Sequence, residues 1–127
     1  MSKKSFWQKV FHPEATLPII AIIIYLTLMT IANLLGFYGT MIENPNATLA
    51  GMSFVAVLRF AIPAYGIAKL KKWARLTELV LSVLSVLAGL GAIFSGLLLL
   101  GILNIAFHGF IIYYLSSPEG RRIVSRP

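Results

Sequence analysis

Four polar side chains lie inside long apolar stretches of this chain, where burial costs free energy unless they find partners. Arg59 interrupts the run FVAVLRFAIPAYG (residues 54–66), and Asn33, Asn104 and His108 have similarly apolar neighbours. A guanidinium binds anions or carbonyl oxygens, amides donate and accept hydrogen bonds, and an imidazole carries protons or ligates metals. These four residues are the candidate buried polar cluster or binding site.

Arg59 needs acceptors, and the sequence offers no acid at its depth. Counted inward from the outer ends of the predicted spans, Asn33, Arg59 and Asn104 lie at one level. Their amide oxygens, with backbone carbonyls released by Pro63, are the predicted acceptors. Three alternatives stay open: Arg59 extends to the outer headgroups, the cluster only stabilises the helices, or it binds an anion, quinone, lipid headgroup or partner carboxylate.

His108 follows Asn104 by one helical turn on the same face. A single imidazole without a second ligand on that face is typical of a hydrogen-bonded interior residue. Axial ligation of a heme or chlorophyll needs one histidine and is the alternative. Otherwise the sequence predicts no cofactor, no metal site and no catalytic residue. It has no cysteine or aspartate, and its four acids, Glu14, Glu43, Glu78 and Glu119, form no catalytic or metal-binding pattern.

The elements that must position these residues are membrane spans. Of the 127 residues, 58% are hydrophobic and 12% charged, with a mean hydropathy of +0.86, whereas soluble domains have about a quarter charged residues. The 11 basic residues, Arg59 excepted, flank the apolar runs on one side of a four-span arrangement. The positive-inside rule therefore predicts a protein of the cell membrane with both termini in the cytoplasm. The position of the basic residues at the membrane edges argues against a nucleic-acid partner.

The predicted fold is an all-α polytopic membrane protein of four helices in a bundle. As a single membrane domain, the chain has spans at residues 17–39, 51–69, 76–94 and 98–115, a polar loop at 40–51 and a cytoplasmic tail at 116–127. Because the uncharged stretch from Val80 to Pro118 is too long for one span, it must form a hairpin. The predicted turn lies near Ser95–Gly96, with Gly89–Gly91 as the alternative.

Small residues recur along one face of the third span and predict a helix-packing seam. After Glu78 the series continues at alternating steps of four and three residues: Ser82, Ser85, Gly89, Ala92 and Gly96. A pore or substrate path along the same face is the alternative.

Aromatic residues mark the expected membrane interfaces. Residues 2–12 place apolar and basic side chains on opposite faces, which predicts a short interfacial helix. Its Trp7, together with Trp73, Tyr113 and Tyr114, is a predicted interfacial anchor.

The segment FIIYYLSSPEGRRIV (residues 110–124) resembles the end of uncharacterised small four-span prokaryotic membrane proteins, in which an aromatic final helix runs into a Pro-Glu-x-x-Arg tail. In this segment Pro118 is expected to end the last helix, and Arg121 and Arg122 to hold it on the cytoplasmic side. The embedded glutamate of small multidrug transporters and the Gly-Gly-x-x-Gly-Ala signature of fluoride channels are absent from this sequence.

These features favour a non-enzymatic accessory or structural subunit of a larger membrane complex, with a respiratory or photosynthetic host as a natural setting. Its expected partners are the lipid bilayer and other membrane subunits or further copies of the chain. The alternative is a small oligomeric anion channel or transporter whose path is lined by Arg59, Asn33, Asn104 and His108.

Overall fold

The computed structural model describes residues 11–43 and 45–127, and this part of the chain is helical without a named strand. Four helices in it are long and apolar enough to cross a membrane, as the sequence predicts. The described helices, in chain order, are α1 (Leu17–Glu43), α2 (Ala47–Ala68), α3 (Lys72–Phe94), α4 (Leu98–Ser116) and the short α5 (Pro118–Ile123). Apart from Phe11 and His12, which are not helical, the predicted interfacial helix and its Trp7 lie outside the described residues.

The chain divides into two compact units, Met1–Lys69 and Leu70–Pro127. The first contains the α1–α2 hairpin and the second contains the α3–α4 hairpin with α5. The assembly of both units into one bundle stays a prediction.

Most of the buried residues of the α1–α2 hairpin lie at the end away from its connection. These are four residues in the first part of α1 and five in the last part of α2: Ile19, Ile22, Ile23, Leu26, Phe60, Pro63, Ala64, Gly66 and Ile67. Ala50 is also buried, near the connection. α2 runs on through Pro63 without a break. Near the connection, Phe37 and Phe54 approach with ring centroids 6.1 Å apart, and from Thr27 to Glu43 α1 buries no residue.

The predicted polar loop is shorter than expected, since α1 reaches Glu43 and α2 already begins at Ala47. Asn46 explains the early start of α2. Its extended backbone precedes the helix, and its side-chain oxygen accepts hydrogen bonds from the N–H groups of Thr48 and Leu49 at 3.0 and 3.1 Å. These bonds satisfy donors that a helix otherwise leaves unpaired.

Replacing Asn46 with alanine should shorten α2 and lower the free energy of unfolding by about 1 kcal/mol, because the cap is lost. Asn46→Asp keeps a capping oxygen and should stay close to the original stability. Thermal unfolding of the purified protein in detergent compares the two. Equal stability of Asn46→Ala and Asn46→Asp would show that the cap contributes nothing.

The α3–α4 turn is a compact glycine cap. The N–H of Leu97 donates to Ala92 O at 2.9 Å, and that of Gly96 donates to Ile93 O at 3.1 Å. This pair of bonds is the Schellman motif, which requires a left-handed residue after the helix; Gly96 provides it with φ of +88°. The turn therefore lies where the Ser95–Gly96 pair predicts it, and α3 passes through the alternative site at Gly89–Gly91 as continuous helix.

The tail folds back onto its own unit. Pro118 does not simply end the final span as expected, because it is also the first residue of α5, which Ser117 caps by accepting from Gly120 N–H at 3.1 Å. Proline suits this position because its missing N–H would be unpaired there anyway. The chain then joins the start of α3: Arg126 N–H donates to Leu70 O at 3.0 Å, and Lys72 N–H donates to Arg126 O at 2.9 Å.

Candidate functional site

The α3–α4 hairpin crosses at two glycines. A Cβ built on Gly101 would lie 2.6 Å from the carbonyl oxygen of Gly89, and one built on Gly89 would lie 2.8 Å from Ile105 Cγ1. Without side chains, the two backbones come into direct contact. This approach brings neighbouring polar residues of α3 and α4 within hydrogen-bonding distance.

Most of the predicted seam on α3 is buried in this hairpin. Glu78 is 1% exposed, Ser82 is 0% and Ser85 is 9%, and Gly89 is buried as well. The far end of the series differs, since Ala92 is half-buried and Gly96 is exposed in the turn. The chain leaves α3 at this turn, so a residue in the turn, such as Gly96, has no facing helix to contact.

Glu78, Ser82 and His108 form a continuous hydrogen-bonded cluster between the two helices. Ser82 Oγ donates to Glu78 Oε1 at 3.0 Å, and His108 Nδ1 lies 3.2 Å from the same hydroxyl. His108 is 1% exposed. A carboxyl group and an imidazole are thus linked through one hydroxyl inside a span, where ionisable residues usually pair with one another.

Asn104 adds a second interhelical bond one turn away. Its Nδ2 donates to the carbonyl oxygen of Ser85 at 2.6 Å. The amide of Asn33 is used differently, since its Nδ2 donates to Met29 O of its own helix at 2.7 Å. Asn33 and Asn104 were predicted from the sequence to play the same role. In the structure, Asn104 bonds between two helices and Asn33 bonds within its own helix.

Asn104→Leu should lower the free energy of unfolding by about 1 kcal/mol, because an interhelical hydrogen bond in a membrane protein contributes roughly 0.6 to 2 kcal/mol. Asn33→Leu, the matched control, breaks only a bond within α1 and should change stability by less. Denaturant or thermal unfolding in the same detergent measures both. A greater loss for Asn33→Leu would reverse the assignment of the two amides.

Arg59 and Asn33 belong to the first unit, whereas Asn104 and His108 belong to the second. Arg59 is half-buried on α2, and its Cζ lies 4.3 Å from the centroid of the Phe60 ring, which is within the range of a cation–π contact. The structure brings Asn104 and His108 into one hairpin with the α3 seam. The convergence of all four predicted residues stays a prediction.

The aromatic anchors separate into exposed and buried rings. Tyr113 is 75% exposed and Trp73 is 44% exposed, whereas Tyr114 is only 6% exposed. Successive residues of a helix point about 100° apart, and here that angle turns Tyr113 outward and Tyr114 into its unit. Tyr114 is therefore a core residue of its unit rather than the outward anchor that its position suggests.

From the sequence, the α3 packing seam and the polar cluster were predicted as separate features, and no contact between Glu78 and His108 was predicted. A usable signal was present. In an antiparallel hairpin turning near Ser95, residues equally distant from the turn face each other: Gly89 and Gly101 are each six residues from Ser95, and Ser82 and His108 are each thirteen. Counting residues outward from the predicted turn therefore pairs the small and polar residues of α3 with those of α4.

The cluster is the site that the structure supports. The described residues contain no group of three or more His, Cys, Asp or Glu that could hold a metal ion. No protein-family model, curated protein or solved structure matches this chain.

Proposed function

We propose that this chain is a small non-catalytic membrane protein that acts as an accessory, structural subunit of a larger membrane complex. The observation that carries this proposal is the second half of α1, where every residue stays at least partly exposed. From Thr27 to Glu43 it buries no residue, although Asn33, Gly36, Gly39 and Thr40 lie there. Within this stretch a Cβ on Gly36 or Gly39 would meet nothing within 4 Å.

Small residues on a membrane helix allow a second helix to approach closely, and apolar surface alone does not drive association in lipid. The occupant that suits this face is therefore a transmembrane helix of another subunit. The four candidate spans bury only 22%, 22%, 17% and 28% of their most apolar windows inside this chain. Most of their apolar surface is thus available to lipid and to neighbouring helices.

The second hairpin supports a structural role over a conducting one. His108 is 1% exposed and Asn104 donates to Ser85 O across the helices. Both side chains make hydrogen bonds within the hairpin, whereas groups that line an ion path need to face water.

The proposed orientation places the basic end of the second unit in the cytoplasm. The β-bridge between Lys71 and Arg126 joins the beginning of α3 to the tail. The basic residues carried by these segments are Lys71, Lys72, Arg75, Arg121, Arg122 and Arg126, against one acid, Glu119. The connection between α1 and α2 carries no basic residue, so the positive-inside rule puts it outside.

This orientation predicts opposite labelling of two introduced cysteines in a chain that has none of its own. Ala47→Cys should react with a membrane-impermeant maleimide from outside intact cells, whereas Lys72→Cys should react only after the membrane is opened. Both positions are exposed, and neither substitution removes the Asn46 cap. Labelling of both cysteines from the same side would overturn the proposed topology.

The experiment that tests the function is purification of the tagged chain from its native membrane in mild detergent, followed by native mass spectrometry. We expect fixed-stoichiometry complexes with other membrane polypeptides, and loss of these complexes in Gly36→Leu without loss of thermal stability. Gly91→Leu is the matched control, because Gly91 is equally exposed and open but lies in the second unit. A homo-oligomer alone, or Arg59-dependent anion flux into liposomes, would overturn the subunit proposal.

A further inference from the structure

The hydroxyl of Ser82 lies between an acid and an imidazole that are both almost fully buried. It is 3.0 Å from Glu78 Oε1 and 3.2 Å from His108 Nδ1, and the three residues are 0–1% exposed. A serine hydroxyl has one proton to donate but can also accept. The donors and acceptors of this cluster are therefore interdependent: the direction of one hydrogen bond determines the direction of the other.

Two arrangements satisfy the geometry. In the first, Glu78 is a carboxylate that accepts from Ser82, and His108 donates from Nδ1–H to Ser82 Oγ. In the second, Glu78 is a carboxylic acid that donates to Ser82, and the Ser82 hydroxyl donates to an unprotonated Nδ1. When His108 is an imidazolium, a proton relay converts the first arrangement into the second. The Nδ1–H bond breaks and Ser82 Oγ gains that proton, while the original Ser82 proton moves to the Glu78 carboxylate. The total charge does not change.

We propose that Glu78, Ser82 and His108 form a proton-binding site inside the α3–α4 hairpin, in which Glu78 and His108 share one exchangeable proton through Ser82. A carboxylate and an imidazolium in this apolar setting offset each other's charge, and the shared proton keeps the cluster neutral in both arrangements. Glu78 lies about 9 Å along α3 from its first residue, at 1.5 Å per residue. The basic end of the unit is therefore the nearer side for proton exchange with water.

The other charged groups of the unit lie towards its basic end. On α3, Arg75 precedes Glu78 by one turn, and its Nη1 donates to Leu115 O at 3.4 Å. On α4, the ionisable side chains are those of His108, Tyr113 and Tyr114, and Asn104 is a polar neighbour of His108. The charged residues of α5, Glu119, Arg121 and Arg122, are exposed. Arg75 is the fixed charge nearest to Glu78 along α3.

The test is nitrogen NMR of ¹⁵N-histidine-labelled full-length protein in lipid nanodiscs across neutral pH. The chain has two histidines, so His12 is an internal reference and His108→Gln assigns the signals. We expect Ser82→Ala and Glu78→Gln to change the proton affinity of His108 by about tenfold or more, the level at which two sites titrate as a pair. Ser82→Thr keeps the hydroxyl and should preserve the original titration.

An unchanged His108 titration in Ser82→Ala would overturn the proposal, as would equal shifts in Ser82→Ala and Ser82→Thr. If Glu78→Gln fails to fold, the Ser82 pair still decides, because Ser82→Ala removes a single oxygen atom. Infrared spectroscopy adds a direct readout: the carbonyl band of a protonated acid should respond to the same pH range as His108 and should disappear in Glu78→Gln. All measurements use the isolated chain, so they are independent of whether it has partner subunits.

Discussion

Replacing Gly101 with alanine is expected to lower the free energy of unfolding of the α3–α4 hairpin by about 1–3 kcal/mol, the usual cost of overpacking. The added Cβ would lie 2.6 Å from both Gly89 O and Ile93 Cγ1. A side chain can rotate away, but the carbonyl oxygen belongs to a helix backbone. The two helices must therefore separate, which also lengthens the hydrogen bonds of the neighbouring cluster.

Gly109→Ala is the matched control on the same helix, because a Cβ there would meet nothing within 4 Å. Alanine is the better helix former by about 1 kcal/mol, so this change should be neutral or stabilising. Thermal unfolding in one detergent, with helix content followed by circular dichroism, compares both variants with the original protein. A Gly101→Ala protein as stable as Gly109→Ala would contradict the close crossing.

Single changes in the Glu78–Ser82–His108 cluster are expected to cost more than removal of the whole cluster. His108→Leu leaves Ser82 and Glu78 buried without their third partner, and Ser82→Ala removes the hydroxyl between the other two. Each removes a hydrogen-bond partner from a buried polar group and should lower stability by about 1–3 kcal/mol. The triple variant Glu78→Leu, Ser82→Ala, His108→Leu replaces all three with apolar groups and should lie near the original stability.

A mutant cycle over these variants measures the non-additivity directly, because residues in one network couple whereas distant residues do not. Ser116→Ala is the control, since Ser116 Oγ donates to Ile112 O within its own helix and should add independently to any other change. Additive losses across the cluster would show that its three side chains act separately, despite the distances between them.

Several elements of this fold follow from local sequence signals. The mean hydropathy and the spacing of the charges predict four membrane-length helices, and the structure contains four such helices in its described part. The turn after α3 could be placed because glycine tolerates the positive φ that the cap requires. Helix ends are less predictable: α1 extends into the predicted polar loop, and α2 begins within it because Asn46 caps that helix.

The candidate site was only partly accessible from sequence. Gly89, Ser82, Asn104 and His108 were all identifiable by helical spacing, because periodicity reveals which residues share a face of one helix. Periodicity within one helix does not reveal which residue of another helix lies opposite. Glu78 was therefore assigned to the packing seam, and its link to His108 through Ser82 became visible only in the hairpin.

By itself, the sequence determined the number of membrane-length helices, the position of the α3–α4 turn and the placement of basic charge, because composition and local backbone preference suffice for these. Only the tertiary structure decided that Tyr114 is buried, that the tail packs against the start of α3, and that Asn104 bonds across helices while Asn33 does not. These features depend on the register between two helices. Contacts of a few ångströms between α3 and α4 set that register. Such close contacts are possible at Gly89 and Gly101 because these residues have no side chains.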